Sequence, residues 1–360
     1  MVPGMTTPEA FEPVFCTIVP PHVLDKLAQA RDSALASPAR RTLEHDAFQR
    51  TRRRMTTVLG APSVARPGGA EAGKPHRTVY DARHGTNLPG RKARGEGEEP
   101  GKDATVNRAY AGLGATYELF LTAYERDSID GSGLPLNASV HYDRDYNNAF
   151  WNGEQMVFGD GDGEIFLDFT IPVDVIGHEL THGVTQYTAN LTYFGQPGAL
   201  NESVSDVFGS LIKQHTLGQT AADADWLIGA GLLAPRVTGK ALRSMKEPGS
   251  AYDDDVLGKD PQPATMDGYV HTGHDNGGVH INSGIPNHAF YLLAARLGGH
   301  AWERAGRIWY DVLTGGELAT DASFADFAKL TVSAARARYG EGEETDAVLK
   351  AWEQVGVPTA

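Results

Sequence analysis

The sequence predicts an α+β chain of two lobes behind a short leader, and three observations carry that prediction. Between residues 78 and 169, short β-branched or aromatic runs alternate with turn residues; beyond Gly198, apolar residues recur at helical spacing. Between these two regimes stand His178 and His182, four positions apart, which a helix stacks on one face. At 360 residues, 41% hydrophobic and 22% charged, the chain is long enough to bury a large core.

Residues 1–54 read as a short propeptide rather than a targeting segment, and 55–75 as a flexible linker in which processing falls. Residues 1–70 hold nine Lys and Arg against six Asp and Glu, so a basic leader precedes an acidic body in a chain of net charge −14. That balance argues against nucleic-acid binding by the body. No apolar stretch of a signal peptide follows a basic start, and nothing approaches the roughly 20 apolar residues of a membrane span. A cytoplasmic location, or export by a non-classical route, is therefore expected, with no membrane partner and a monomeric state. The single cysteine, Cys16, excludes an internal disulfide; it is either a plain buried side chain or a thiolate that caps a metal. The run Arg50-Thr51-Arg52-Arg53-Arg54 reads as exposed, and the Gly-, Ala- and Pro-rich residues 60–73 as flexible.

Residues 76–190 form the expected strand-rich lobe, with strands over 78–80, 139–142 and 155–158 and one helix over 109–124. Pro172 opens the histidine-bearing helix that ends this lobe, proline being suited to a first turn. Residues 191–360 form the mainly helical lobe, with helices over 199–215, 288–297, 300–313 and 324–338. Gly177, Gly277 and Gly278 read as hinge or close-approach positions.

The chemistry lies in His178-Glu179-Leu180-Thr181-His182. Two neutral imidazoles and one carboxylate hold zinc tetrahedrally and leave a position open for water, whose pKa falls from about 15.7 towards about 7 on binding. Glu179, one position off the ligand face, is placed to take the water's proton and return it to the leaving amine. Glu202, in Asn201-Glu202-Ser203-Val204-Ser205-Asp206, is the natural third ligand. Asp206, four residues on, suits the carboxylate that fixes a ligating imidazole. The longer metzincin motif needs Gly and His where this chain has Thr185 and Thr188.

From residue 77 to 355 the chain resembles the thermolysin-like zinc metallopeptidases. The likeness runs through Asn147-Asn148-Ala149-Phe150-Trp151-Asn152-Gly153, Gly159-Asp160-Gly161-Asp162-Gly163, the histidine helix, residues 201–206, and Asp275-Asn276-Gly277-Gly278-Val279-His280-Ile281-Asn282-Ser283-Gly284. Ile18-Val19-Pro20-Pro21-His22-Val23-Leu24 is similar to the short-propeptide branch, typified by protealysin, whose leader covers the cleft. The resemblance implies one catalytic zinc on His178, His182 and Glu202, with Glu179 as general base and then acid. It implies that His280, oriented by Asp275, and Tyr193 donate to the oxyanion. Asn148 and Ala149 would pair with an extended substrate, Arg243 would bind a carbonyl beyond the scissile bond, and Phe166, Phe169, Val175 and Leu242 would line an apolar pocket for the residue after it.

The resemblance therefore implies a neutral endopeptidase cutting before Leu, Phe, Ile or Val, made as a zymogen that its own propeptide inhibits and that processes itself; self-cleavage would then be favoured before an apolar residue, for example Met55, Val58 or Leu59. A catalytically silent peptide binder and a zinc aminopeptidase are the other readings; the second needs an acidic anchor for a substrate amine, and none is identifiable. Calcium is doubtful. Where calcium-stabilised members place several acidic residues, this chain has Lys213, Leu227 and Ala230 and keeps only Asp174 and Asp225, so the paired calcium site is expected to be absent. Asp160-Gly161-Asp162-Gly163 is read as a turn, Asp253-Asp254-Asp255 as a solvated loop, and His271, His274 and His288 as structural.

Overall fold

The computed structural model describes residues 16–59 and 72–359. It opens with β1 (Cys16–Thr17), α1 (Pro21–Ala28) and α2 (Ser33–Leu59). Pro20 is extended and Pro21 is the first helical residue, so the Pro-Pro pair forms the corner between strand and helix. α2 continues past the expected propeptide boundary at 54, so residues 55–59 are helical rather than linker. Met55, Val58 and Leu59 lie in its last turns, and cleavage there requires that end to unwind. Residues 60–71 of the expected processing region, and the side chains of Arg50 and Arg52 to Arg54, lie outside the described residues.

Next come β2 (Arg77–Asp81), β3 (Arg91–Gly95), α3 (Ala104–Tyr124), β4 (Leu136–Val140), β5 (Ala149–Trp151) and β6 (Met156–Phe158). They form one sheet in the order β1-β5-β6-β4-β2-β3, with β1 antiparallel to β5. The leader thus supplies the outermost strand. α3 begins before the expected residue 109 because the Asp103 carboxylate accepts from the amides of Thr105 and Val106, a cap that contributes about 1 kcal/mol. The expected strand at 139–142 stops at Val140 because His141 turns to φ 53°.

The helical lobe contains α4 (Val173–Gln186), α5 (Gly195–Leu217), the short pairs β7 (Leu227–Ile228) with β8 (Arg243–Ser244) and β9 (Asp253–Asp254) with β10 (Gly258–Lys259), α6 (Asp275–Asn282), α7 (Gly284–Leu297), α8 (Ala305–Thr314), α9 (Phe324–Tyr339) and α10 (Glu343–Gln354). Residues 300–304, expected to be helical, form a turn before α8. α10 was not foreseen, although Ala347, Val348, Ala351 and Trp352 form a buried helical stripe on it. Trp352 stacks on Trp309 with centroids 5.8 Å apart, and its indole N–H donates to Thr331 Oγ1 at 2.8 Å.

α4 is buried from Asp174 through Thr185, although four of those side chains are charged or imidazole. Two glycines let it approach α5: a Cβ on Gly177 would stand 2.5 Å from Ile212 Cδ1, and one on Gly209 2.6 Å from the Asp174 carbonyl oxygen. Of the two roles considered for Gly177, close approach is the one the packing requires. The contact sets Glu202 and Asp206 of α5 opposite the histidines of α4.

Candidate active site

His178 and His182 lie on one face of α4 with ring centroids 4.6 Å apart. Each gives Nδ1 to an oxygen: His178 to Asp206 Oδ1 at 2.8 Å, His182 to Asn201 Oδ1 at 2.8 Å with Ser205 Oγ at 3.0 Å. Both Nε2 lone pairs then face each other at 3.0 Å, and each lies 3.5 Å from a Glu202 carboxylate oxygen. Three lone-pair donors converge in a fully buried pocket. Glu202 Oε2 and Glu179 Oε1 have no hydrogen-bond partner among the described residues. Buried donors so arranged require a cation, and the His₂Glu set is one that zinc takes.

The electrostatics agree with that assignment. Burial pushes the His182 pKa down to about 3, which keeps its ring neutral and fit to ligate. Burial opposes ionisation of Glu202, but the charge of His280 leads the effects that outweigh it and hold its pKa below the usual value. Burial and then the Glu202 charge raise the Glu179 pKa well above its usual value. Its other oxygen, Oε2, accepts from the Trp151 amide at 3.1 Å.

Tyr193 and His280 close the opposite wall. The Tyr193 hydroxyl donates to Glu202 Oε1 and lies 3.4 Å from His280 Nε2; burial above all keeps the phenol protonated. Asp275 holds His280 twice, with Oδ1 on Nδ1 at 2.6 Å and Oδ2 on the His280 amide at 3.0 Å. Burial works against the imidazolium, yet Asp275 and Glu202 prevail and lift its pKa to about 9. Gly277 and Gly278, at φ 85° and 78°, form the left-handed turn that brings Asp275 back to His280.

Arg243 is buried and clasps Asp206 through Nε and Nη2, both at 2.8 Å. Asp206 therefore joins His178, Arg243 and also Asn287, whose amide donates to Oδ2 at 2.9 Å. Burial raises the cost of its charge, but Arg243 and His178 hold its pKa far below the usual range. Asn201 as an imidazole acceptor, Ser205, Asn287 and the Trp151 amide were not foreseen. Asn201 lies inside a recognised motif; nothing in the local sequence marks Asn287. Phe166, Phe169, Val175 and Leu242 are all buried in one apolar cluster. His271, His274 and His288 stand apart from the centre, and His288 Nδ1 lies 3.3 Å from the Met245 carbonyl oxygen.

The leader fills this cleft. β1 pairs Cys16 with Trp151 and Thr17 with Phe150. The Ile18 amide donates to the Ala149 carbonyl at 3.2 Å and the Val19 amide to Asn148 Oδ1 at 2.9 Å. α2 clamps the segment that leads into β5: Asp46 accepts from Tyr146 at 2.5 Å and from Asn148 Nδ2 at 3.0 Å, and Thr42 accepts from the Asn147 amide. That the leader covers the cleft was expected from the resemblance; the contacts of Thr42 and Asp46 were not.

His22 makes this docking sensitive to pH. It lies 3.5 Å from the Tyr252 hydroxyl, its Nδ1 has no partner among the described residues, and burial, only partly offset by Asp275, lowers its pKa to about 4. A histidine with a depressed pKa favours the docked state in full above about 6.5 and loses that contribution as pH falls towards 4. The melting temperature of a Glu179→Ala precursor should therefore fall less between pH 7 and pH 5 once His22→Asn is added. Identical pH profiles would refute this role of His22.

A buried His₂Glu centre with a carboxyl beside it, set between a strand-rich and a helical lobe, defines a metallopeptidase of the His-Glu-x-x-His class. Residues 71–186 match the catalytic domain of the thermolysin metallopeptidases, and residues 189–357 match their alpha-helical domain. The chain belongs to the thermolysin metallopeptidase family and is a zinc metalloendopeptidase. It is 50% identical to an extracellular metalloprotease of Pectobacterium carotovorum subsp. carotovorum over 95% of this chain and 96% of that one. It is 40% identical to thermolysin of Alicyclobacillus acidocaldarius subsp. acidocaldarius over 78% of this chain and 50% of that one. The structure matches the precursor of protealysin, a metalloproteinase from Serratia proteamaculans, with a TM-score of 0.86 and 51% identity, covering 95% of this chain and all of that one.

Proposed function

We propose that this endopeptidase matures itself and cuts on the amino side of bulky apolar residues. The observation that carries the specificity is Ile18: it is an apolar side chain fully buried where its carbonyl accepts from Arg243, while the chain around it pairs with Asn148 and Ala149. His178, His182 and Glu202 would hold the zinc, which would supply Lewis acidity for water activation and carbonyl polarisation. Glu179 takes the proton and passes it to the leaving nitrogen. Tyr193 and His280 donate to the oxygen that gains charge, and Arg243 fixes the next carbonyl; each oxyanion donor contributes on the order of 3 kcal/mol. Matured protein is expected to cleave an internally quenched peptide with Leu after the scissile bond at least about tenfold faster, in kcat/KM, than one with Ala. Preference for Asp or Lys there would refute the pocket assignment.

We also propose that no paired calcium binds beside α5. Lys213 Nζ lies 2.8 Å from both Asp225 oxygens, 3.2 Å from Asp174 Oδ2 and 3.2 Å from the Leu227 carbonyl oxygen, and its charge supports the reading that it replaces an ion. Burial opposes that charge, but Asp174 and Asp225 raise its pKa. Lys213→Met should cost about 3–5 kcal/mol by stranding the buried Asp174, whereas millimolar calcium should leave the parent's melting temperature unchanged. A calcium-dependent rise in the parent would overturn this reading. The relative's name, extracellular metalloprotease, supports the secreted alternative for this chain's location.

A further inference from the structure

We infer that the leader lies in the cleft in the register of a substrate, with Thr17–Ile18 as a latent self-cleavage site that the Cys16 sulfur keeps uncut by standing in the open metal position. This inference rests on the endopeptidase reading above and adds a bond and a lock to it.

The register follows from the order of the leader's carbonyls. Thr17 O lies 3.1 Å from His280 Nε2, the group assigned to a developing oxyanion. One residue on, Ile18 O accepts from Arg243 Nη1 at 3.0 Å, the contact assigned to the carbonyl beyond the scissile bond. The Ile18 amide faces Ala149 O, and the Val19 amide reaches Asn148 Oδ1. Three independent anchors therefore place the same bond, Thr17–Ile18, at the catalytic groups, with a buried apolar residue following it. Hydrolysis there adds the water oxygen to the Thr17 carbonyl carbon, breaks the Thr17–Ile18 C–N bond, and sends the proton through Glu179 to the Ile18 nitrogen.

Cys16 explains why a bond so placed survives in the precursor. Its Sγ and one ligand atom each of His182 and Glu202 all lie within 4.8 Å of one another, and all three residues are buried. It pairs directly with Trp151, whose amide holds Glu179 Oε2. Thiolate is a good zinc ligand, and sulfur in that position takes the place of the attacking water beside Glu179. Glu202 Oε2, still without a hydrogen-bond partner among the described residues, marks the same spot as one that a metal completes.

The test compares zinc-loaded full-length parent, Cys16→Ala, and Cys16→Ala/Glu179→Gln by intact mass and N-terminal mapping. Cys16→Ala should release a peptide ending at Thr17 while the parent and the double variant keep that bond. X-ray absorption at the zinc of Glu179→Gln precursor should show one sulfur at about 2.3 Å, lost in the double variant. A synthetic peptide of residues 13–24 with alanine at 16, given to matured protein, should be cut between Thr17 and Ile18, a readout that does not depend on folding of a variant. If matured protein cleaves the quenched Leu peptide but leaves Thr17–Ile18 whole in both formats, the register is wrong and the endopeptidase reading stands. If neither is cut, both fall. A sulfur-free zinc shell in the precursor overturns the lock.

Discussion

Glu179→Gln is expected to bind zinc as the parent does and to lose on the order of 10³-fold in kcat on a quenched peptide. The substitution keeps the shape of the side chain and leaves His178, His182 and Glu202 untouched, so metal content should not change. It should not destabilise the fold either. Burial and Glu202 already raise the Glu179 pKa well above normal, so the folded chain disfavours its anion, and a neutral amide removes that cost. Gln also keeps an oxygen able to accept from the Trp151 amide, which Glu179 Oε2 engages at 3.1 Å. Loss of turnover with full zinc and an unlowered melting temperature would isolate proton transfer as the missing step. If leader removal is the chain's own reaction, the variant also stays at full length in the absence of other proteases. A variant within tenfold of the parent would sink the assignment of Glu179.

How much of this centre was legible in the sequence depended on whether its parts are close along the chain. His178, Glu179 and His182 occupy one helical turn, and Glu202 and Asp206 another, so spacing alone placed both sets on faces. What spacing could not supply was the meeting of the two helices, which depends on Gly177 and Gly209 removing side chains where backbones touch. The assignments of Tyr193, Asp275, His280 and Arg243 came from family resemblance, and the structure brings all four to the cleft. Asn287 joins Asp206 across 81 positions, and Asp46 joins Asn148 across 102; no local pattern encodes such pairs. Strand limits failed for a related reason. His141 carries a strand-like neighbourhood, but hydrogen bonds to Asp160 and Asp103 hold it in a left-handed turn. Those tertiary contacts override the local preference.

Asp206→Ala should have the largest effect on the fold itself, because that carboxylate joins the histidine centre to Arg243, the arginine proposed to bind substrate. It orients His178, clasps Arg243 with two bonds, and accepts from Asn287, with no solvent exposure. Removing it leaves the Arg243 guanidinium, 2% exposed, without its main counter-charge. Breaking a buried pair in this way costs about 3–5 kcal/mol. The second effect is on the metal, since a ligating imidazole deprived of its carboxylate partner loses about 10–100-fold in metal affinity. Asp206→Asn separates the two effects. It keeps an acceptor for His178 Nδ1 but removes the charge, so zinc affinity should recover towards the parent while stability stays low. The sign of its pH dependence follows from the depressed pKa of Asp206: the carboxylate's contribution is complete above the unfolded value near 3.8 and is lost only as pH falls through the lower folded value. Across pH 5 to 8 the deficit of either variant should therefore be constant. Zinc titration and denaturant unfolding of Asp206→Ala and Asp206→Asn in a Glu179→Gln background measure both quantities without self-digestion. Equal zinc affinity for Ala and Asn would mean that the carboxylate supports Arg243 alone and has no part in holding the metal.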